Sequence, residues 1–463
     1  MSGPQPASEG MKNDADLTRR LVSHVRRLTK QPLPAEVMET AKHCLLDWTA
    51  VSIAGAREPL VSLLLDEINE DGLGGTSTIV HCGQHFPLLS SAMVNAAMAD
   101  ALDFSDGNLA MRGHTTPAVI ATSIALAEAL GKNGQDLLLA IIAGIETECR
   151  IGLMVNPPHL RKGFHPTGSL ATFGAAAAAG HLLDLSPEQT AMALGLAATQ
   201  AAGLLTSGGT MAKPFHSGKA AFNGLLSARL AARGFVGRVD ALDAPDGFLE
   251  THANGTREDT DRFDDGRYMI LGTIFKSHAA CQLTHSTIDN ILALQSQHGV
   301  LADDVEAIEV QVPPGYLSVC NISTPKTGLE AKFSLRGMVA MTLLGDDTRD
   351  IRSYEDERVQ RLELSTLCER IEIIPRSDYA GGTSTAITRL KDGRSITLTC
   401  DSYHPASDIA IQREAVTRKF RLLVTPIMGE ASAHKLETLI SDINQAGSIR
   451  SLTSMLAESR AST

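Results

Sequence analysis

Four short blocks of this chain gather ionisable side chains on glycine- or proline-containing turns. The first is Asp103-Phe104-Ser105-Asp106-Gly107, followed closely by Arg112-Gly113-His114-Thr115-Thr116-Pro117. An aspartate beside a histidine orients the ring and raises its basicity. The same aspartates equally suit a helix end and a turn. The second block, Gly163-Phe164-His165-Pro166-Thr167-Gly168, sets a histidine in a turn before an alanine-rich stretch. Thr167 or Ser169 can cap the helix that follows, Pro166 fits near its start, and its positive end faces the turn. The third block runs from Ser207 to Ala221 and contains Lys213, Pro214, His216 and Lys219. Its glycines let backbone N–H groups approach a ligand, and Lys213 adds a cation, which together make a carboxylate cradle. The GK[ST] order of a phosphate loop is absent. The fourth block is Phe275-Lys276-Ser277-His278-Ala279-Ala280-Cys281, continuing to His285. His278 and Cys281 are of metal-ligating type, but no second cysteine pair or HExxH accompanies them, so no metal is expected. Carboxylates, histidines and lysines without a cofactor fingerprint suit proton transfer at a carbon next to a carboxylate or carbonyl. Elimination, decarboxylation or reprotonation can follow.

Other chemistries find little support. GxSxG is absent, as is a glycine-rich dinucleotide fingerprint after a strand. The formal net charge is −12, with no basic run, which argues against a nucleic-acid partner. An acidic chain that binds an anion must do so with local donors and cations. The seven cysteines show no paired spacing and read as reduced thiols of a cytoplasmic protein. Leu170–Leu183 is too short and too rich in alanine to span a membrane, so no membrane association is expected.

Positioning these turns falls mostly to helices. Aromatic content is only 4%, so helices are expected to meet through alanine, glycine and leucine. Apolar residues recur at helical spacing over Pro34–Ala54, and Leu88–Leu102, Ala118–Leu130, Leu137–Met154 and Ser217–Gly234 also read as helices. Ser186-Pro187-Glu188-Gln189 carries a capping box for another, running towards Ala202. The character changes after about Asp261. Val305–Val312 alternates apolar and polar residues, and Ile371–Pro375 and Ser395–Cys400 are further strands. Lys391-Asp392-Gly393-Arg394 reads as a hairpin turn. Helices are expected between them over Gln282–Gln297 and Phe333–Leu344, and again over Asp408–Leu422 and His434–Asn444. The expected fold is mainly α with an inserted α+β domain. Residues 1–16 are expected to be a disordered tail, 17–266 and 405–463 one all-helical domain built from both chain ends, and 267–404 the smaller α+β domain.

Taken together, the motifs ALDFSD with GHTTP, GFHPTGSLATFGAAAAAG, GTMAKPFHSGKAA, FKSHAACQLTH and AKFSLRG resemble those of the MmgE/PrpD family, in order and approximate spacing. That family includes 2-methylcitrate dehydratases, cis-aconitate decarboxylases and an iminodisuccinate epimerase. The resemblance covers nearly the whole chain. It implies a helical domain, an α+β lid, a homodimer, and a cofactor-free active site in the cleft between the domains. Matched position by position, it implies functional roles for Asp103, His114, His165, Lys213 and Lys276. His165 would be the main base or acid, with Asp103 and His114 completing the proton path. Lys213, Lys276 and Arg112 would hold substrate carboxylates, and Thr167 and His216 join the substrate-binding candidates.

Two positions depart from the family pattern. Cys281 stands where the cis-aconitate decarboxylases carry a histidine, and Ser105 replaces the first of two carboxylates. A thiol cannot stand in for imidazole as a proton donor without a shifted pKa, which counts against decarboxylation. Cys281 fits either an acid/base thiol or a small buried side chain. The expected activity is a lyase of a small di- or tricarboxylate, most like a 2-methylcitrate dehydratase. The alternatives are a cofactor-free epimerase of a dicarboxylate such as iminodisuccinate and, less favoured, a decarboxylase or a non-catalytic carboxylate binder.

Overall fold

The computed structural model describes residues 17–70, 72, 74–254, 263 and 265–458. The tail expected over 1–16 lies outside the described residues. The chain passes first through α1 (Leu17–Lys30), α2 (Ala35–Gly55), α3 (Pro59–Glu70), α4 (Leu88–Asp100), α5 (Thr116–Leu130), α6 (Gly134–Val155), α7 (Pro158–Arg161), α8 (Pro166–Leu182), α9 (Pro187–Ala198), α10 (Ala212–Ala232) and α11 (Phe248–Ala253). The two-residue strands β1 (Ser77–Thr78), β2 (His85–Phe86) and β3 (Gly107–Asn108) interrupt it, and β4 (Thr273–Ile274) follows. Among the described residues, no helix is long and apolar enough to cross a membrane.

Helix α8 is the axis of this body. Its side chains are small or apolar on every face, and all but one of its residues are buried. A helix without a polar face must be surrounded, and α5, α6, α9 and α10 surround it. The approach to α10 is close enough to require glycine. A Cβ at Gly224 would stand 2.4 Å from the Thr172 carbonyl oxygen and 2.6 Å from the Ala175 Cβ. Local signals set the ends of several neighbours. Asn133 accepts from the Asp136 N–H at the start of α6, Ser186 and Gln189 form the expected capping box on α9, and Gly131 closes α5 in the left-handed region. Helix α10 starts earlier than the sequence suggests, at Ala212. Proline is tolerated there because the first turn of a helix has no intrahelical partner for its N–H groups. Lys213 therefore stands on the first turn of α10 and His216 at the start of the second, not in a glycine loop.

The α+β part contains α12 (His285–His298), β5 (Val305–Val312), α13 (Gly328–Ala331), α14 (Leu335–Leu343), α15 (Asp356–Val359), α16 (Leu362–Cys368), β6 (Ile371–Pro375), β7 (Thr383–Leu390) and β8 (Ser395–Asp401). Its sheet has the order β6-β5-β7-β8, with β5 parallel to β6 and antiparallel to β7. The hairpin expected at Lys391–Arg394 joins β7 to β8. Helix α12 covers β7 and β8. The chain then returns to helix in α17 (Ile409–Met428), α18 (Glu430–Ser441) and α19 (Arg450–Ala457). Helix α17, capped by Asp408, lies against α2 and buries Val416, Phe420, Leu423 and Val424. The fold is thus mainly helical with a smaller α+β part.

Candidate active site

The site is built around a turn. Helix α4 ends at Asp100, and the chain turns through Asp103, whose φ of 52° lies in the left-handed region. Lys213, on the first turn of α10, reaches Asp100 Oδ1 at 2.8 Å, Asp103 Oδ1 at 2.5 Å and His114 Nε2 at 3.0 Å. An ammonium has three N–H donors, and all three are used. The other ring nitrogen of His114, Nδ1, lies 2.8 Å from the Asp106 carbonyl oxygen, the partner it donates to in the tautomer that leaves Nε2 to accept from Lys213. The other oxygen of Asp100 accepts from the Ser217 hydroxyl at 2.7 Å. Asp106 is occupied differently: its carboxylate takes the Thr116 N–H at 3.1 Å and the hydroxyls of Thr115 and Thr116, holding the start of α5.

The charges are mutually dependent. Burial pushes the Asp103 carboxyl up, but Lys213 and Lys276 outweigh it and hold the group well below the usual carboxylate range. Burial alone would lower Lys213, yet Asp100 and Asp103 raise it above an ordinary lysine. The atoms of Asp100, Asp103 and His114 lie within 4.8 Å of one another, an arrangement that could also hold a metal ion. Here the Lys213 ammonium sits among them and supplies the positive charge.

His165 stands at the N-cap position of α8, with its N–H bonded to the Gly203 carbonyl at 3.0 Å. Its Nδ1 is 3.0 Å from His216 Nδ1, so one ring donates to the other. Burial, reinforced by nearby Lys213, holds His165 well below an ordinary histidine and therefore neutral. Thr167 joins the two histidine turns, its Oγ1 accepting from the His114 N–H at 3.0 Å. Gly168 lets the 202–203 segment come near: a Cβ there would stand 2.4 Å from the Ala202 carbonyl oxygen. Arg112, with φ of 57°, is exposed at the margin.

Strands β3 and β4 bring the fourth block in. Gly107 pairs with Ile274, two residues before Lys276, and the Asn108 side chain holds the Met269 carbonyl at 2.9 Å. Lys276 Nζ donates to the carbonyl oxygens of Asp103 at 2.7 Å and Ala280 at 3.0 Å, and lies 3.3 Å from Asp103 Oδ2. Cys281 is half-buried, with its N–H on the Lys332 carbonyl at 3.0 Å. The Cys320 thiol hydrogen-bonds to it and pulls it below an ordinary thiol, against burial and Asp103. His278 turns away, to Thr348 Oγ1 at 2.7 Å and Asp289 Oδ1 at 3.1 Å, and so knits the α+β part together.

The structure thus gathers Asp103, His114, His165, Thr167, Lys213, His216, Lys276 and Cys281, with Arg112 at the edge. Three further groups join them that the sequence reading passed over. Asp100 shares Lys213 with Asp103. Lys332 donates to the Leu102 carbonyl at 2.6 Å. Lys419, on α17, donates to the Phe104 carbonyl at 2.5 Å and pairs with Asp47 at 2.7 Å. Lys332 lies inside the AKFSLRG motif, which was a usable signal. Lys419 had none, since a lysine between Arg418 and Phe420 reads as a solvated helix residue.

Residues 19–260 match the MmgE/PrpD N-terminal domain and residues 278–445 the MmgE/PrpD C-terminal domain. The chain is 26% identical to a cis-aconitate decarboxylase of Aspergillus terreus over 477 aligned positions, covering 95% of this chain and 96% of the relative. It is 28% identical to a cis-aconitate decarboxylase of Mus musculus over 389 positions, covering 80% and 78%. A cis-aconitate decarboxylase of Homo sapiens is 25% identical over 430 positions, covering 85% and 89%. With both domain matches in chain order and together covering most of the sequence, the chain belongs to the MmgE/PrpD family.

Proposed function

We propose that the protein is a lyase acting on a small di- or tricarboxylate, and that it takes a proton from a carbon next to a carboxylate. The observation that carries this reading is a neutral, buried His165, oriented by His216 and set beside the Lys213 cluster. With Nδ1 engaged by His216, Nε2 is the atom that meets substrate. A neutral imidazole can accept a proton, and the charge of a bound polycarboxylate would strengthen it as a base. Lys213 and Lys276 supply the cations for those carboxylates. Their donors are already engaged, so a carboxylate reaches them by replacing an existing acceptor. The reading uses no metal or organic cofactor.

We favour loss of water, as from 2-methylcitrate. The C–H bond breaks towards His165, the double bond forms, and the hydroxyl leaves as water on taking a proton. Cys281 is the candidate donor, since Cys320 and Lys276 both ease its ionisation. The names of the relatives favour a second reading, decarboxylation of cis-aconitate. There the C–C bond breaks, carbon dioxide leaves and a proton is delivered to carbon. The eased Cys281 thiol can deliver that proton too, so the product formed separates the two reactions.

NMR in deuterated water with 2-methylcitrate, citrate, cis-aconitate and iminodisuccinate separates these outcomes. Dehydration gives a new alkene signal. Decarboxylation releases carbon dioxide from cis-aconitate. Epimerisation gives deuterium wash-in alone. His165→Ala is expected to lower turnover by about 10²–10⁴-fold while melting like the wild type; wild-type turnover in that variant overturns the assignment. Sedimentation at working concentration tests the homodimer, and a monomer overturns it.

A further inference from the structure

Three consecutive carbonyl oxygens of the turn at Asp103 each accept a buried lysine ammonium. Leu102 receives Lys332 at 2.6 Å, Asp103 receives Lys276 at 2.7 Å and Phe104 receives Lys419 at 2.5 Å. The three lysines come from separate parts of the chain: the segment after β4, the segment between α13 and α14, and the middle of α17. Lys276 also meets the Asp103 carboxylate, so it belongs to the site already described. Among the described residues, neither Lys332 nor Lys419 hydrogen-bonds a candidate proton-transfer side chain; each donates to backbone, and Lys419 also pairs with Asp47.

A buried lysine is costly unless it is well used. Burial pushes Lys332 down to about 8, although Glu58 and Asp103 pull the other way. Burial also lowers Lys419, against the pull of Asp47. Each ammonium has an aromatic face beside it, Tyr354 at 4.9 Å for Lys332 and Phe104 at 4.0 Å for Lys419. A lysine kept in such surroundings is kept for what it holds. What both hold is the backbone on either side of Asp103, a residue in the left-handed region that side chains other than glycine adopt infrequently.

We propose that Lys332 and Lys419 are positioning residues that fix the Asp103 turn from the α+β part and from the C-terminal helix. The Asp103 carboxylate then reaches its working position only when both parts are seated. The proposal rests on the reading that Asp103 belongs to the reaction site, but its main test needs no substrate.

Hydrogen exchange is followed by mass spectrometry in the full chain for the wild type, Lys332→Met, Lys332→Arg and Lys419→Met. Loss of one charged hydrogen bond is expected to raise exchange over residues 101–108 about tenfold in both methionine variants, with 166–182 exchanging as in the wild type. Lys332→Arg is expected to restore most of the protection. With whichever carboxylate is turned over, kcat should fall about tenfold or more in the methionine variants, with KM within about threefold. Wild-type exchange over 101–108 in either methionine variant overturns the proposal, as does a change confined to each variant's own neighbourhood. If one methionine variant does not melt cooperatively, the other and Lys332→Arg decide the outcome by the same readouts. Altered exchange at 101–108 without turnover of any carboxylate would sink the proposed reaction and leave the positioning role standing.

Discussion

Asp103 keeps its charge inside the protein because two ammonium groups face it, and this makes its contribution dependent on pH. Its folded value lies well below the ordinary 3.8, so the stability it contributes is present above the unfolded value and is lost as pH falls through the folded one. Asp103→Asn removes that charge and leaves Lys213 and Lys276 facing a neutral amide. Breaking a buried pair from one side typically costs about 3–5 kcal/mol. The variant is therefore expected to melt well below the wild type at pH 6–7, with the gap closing below about pH 4. Thermal melts across pH 3–7 check this, and a gap independent of pH would contradict it. Turnover should be lost as well. Asp103, His114, His165, Lys213 and Lys276 were legible in the sequence because reactive side-chain types recur on turns flanked by glycine and proline. Asp100 was not, because an aspartate at the end of an alanine-rich helix carries no mark of the lysine that reaches it from 113 residues away.

Helices α6, α8 and α10 meet through positions where side-chain size or charge leaves no latitude. Gly224→Ala places a methyl 2.4 Å from the Thr172 carbonyl oxygen, and the backbone cannot yield without moving α8. Overpacking of this kind costs about 1–3 kcal/mol, to be read from the denaturation midpoint at constant slope. Glu148, on α6, is buried with neither carboxyl oxygen hydrogen-bonded among the described residues. Burial, aided by Asp106, raises it well above the ordinary 4.5. The sign is opposite to that of Asp103. A raised folded value means stability is full below the unfolded value and declines as pH rises through the folded one. Glu148→Gln is expected to flatten that decline, gaining most on the wild type at pH 8–9; identical melting curves over pH 5–9 would contradict the protonated assignment. Elements were legible where one face is wet. Strands β5, β6 and β8 follow their patterns closely, whereas β7 was passed over. It lies inside the sheet between β5 and β8, and its first half holds Ser384, Thr385 and Ala386 buried in succession. Small and polar residues buried in a row show no apolar alternation to read.

At the scale of the molecule, the change from helical to mixed patterning was visible in the sequence, but the junction that three lysines make at one turn was not. Residues 276, 332 and 419 meet only through the fold, and no local pattern relates them. The same geometry bears on our reading that the helical body is built from both chain ends. Helix α17 covers α2 with Val416, Phe420, Leu423 and Val424, all buried. At about 1.5–3 kcal/mol for each fully buried apolar side chain, these four contribute about 6–12 kcal/mol. Net stabilities of whole domains are about 5–15 kcal/mol, so the loss is comparable to the total. Lys419 leaves with them and strands Asp47, which is fully buried and which burial already raises to about 6. A chain ending at Asp408 is therefore expected to show no cooperative thermal transition, to bind a dye for exposed apolar surface, and to lack turnover. Lys419→Met keeps the apolar face and removes only the ammonium, so it should still melt cooperatively, at a lower temperature. That difference separates packing from charge. A cooperative melt in the chain ending at Asp408, with native near-UV dichroism, would mean that the N-terminal helices close their own core and that α17 is an addition to it.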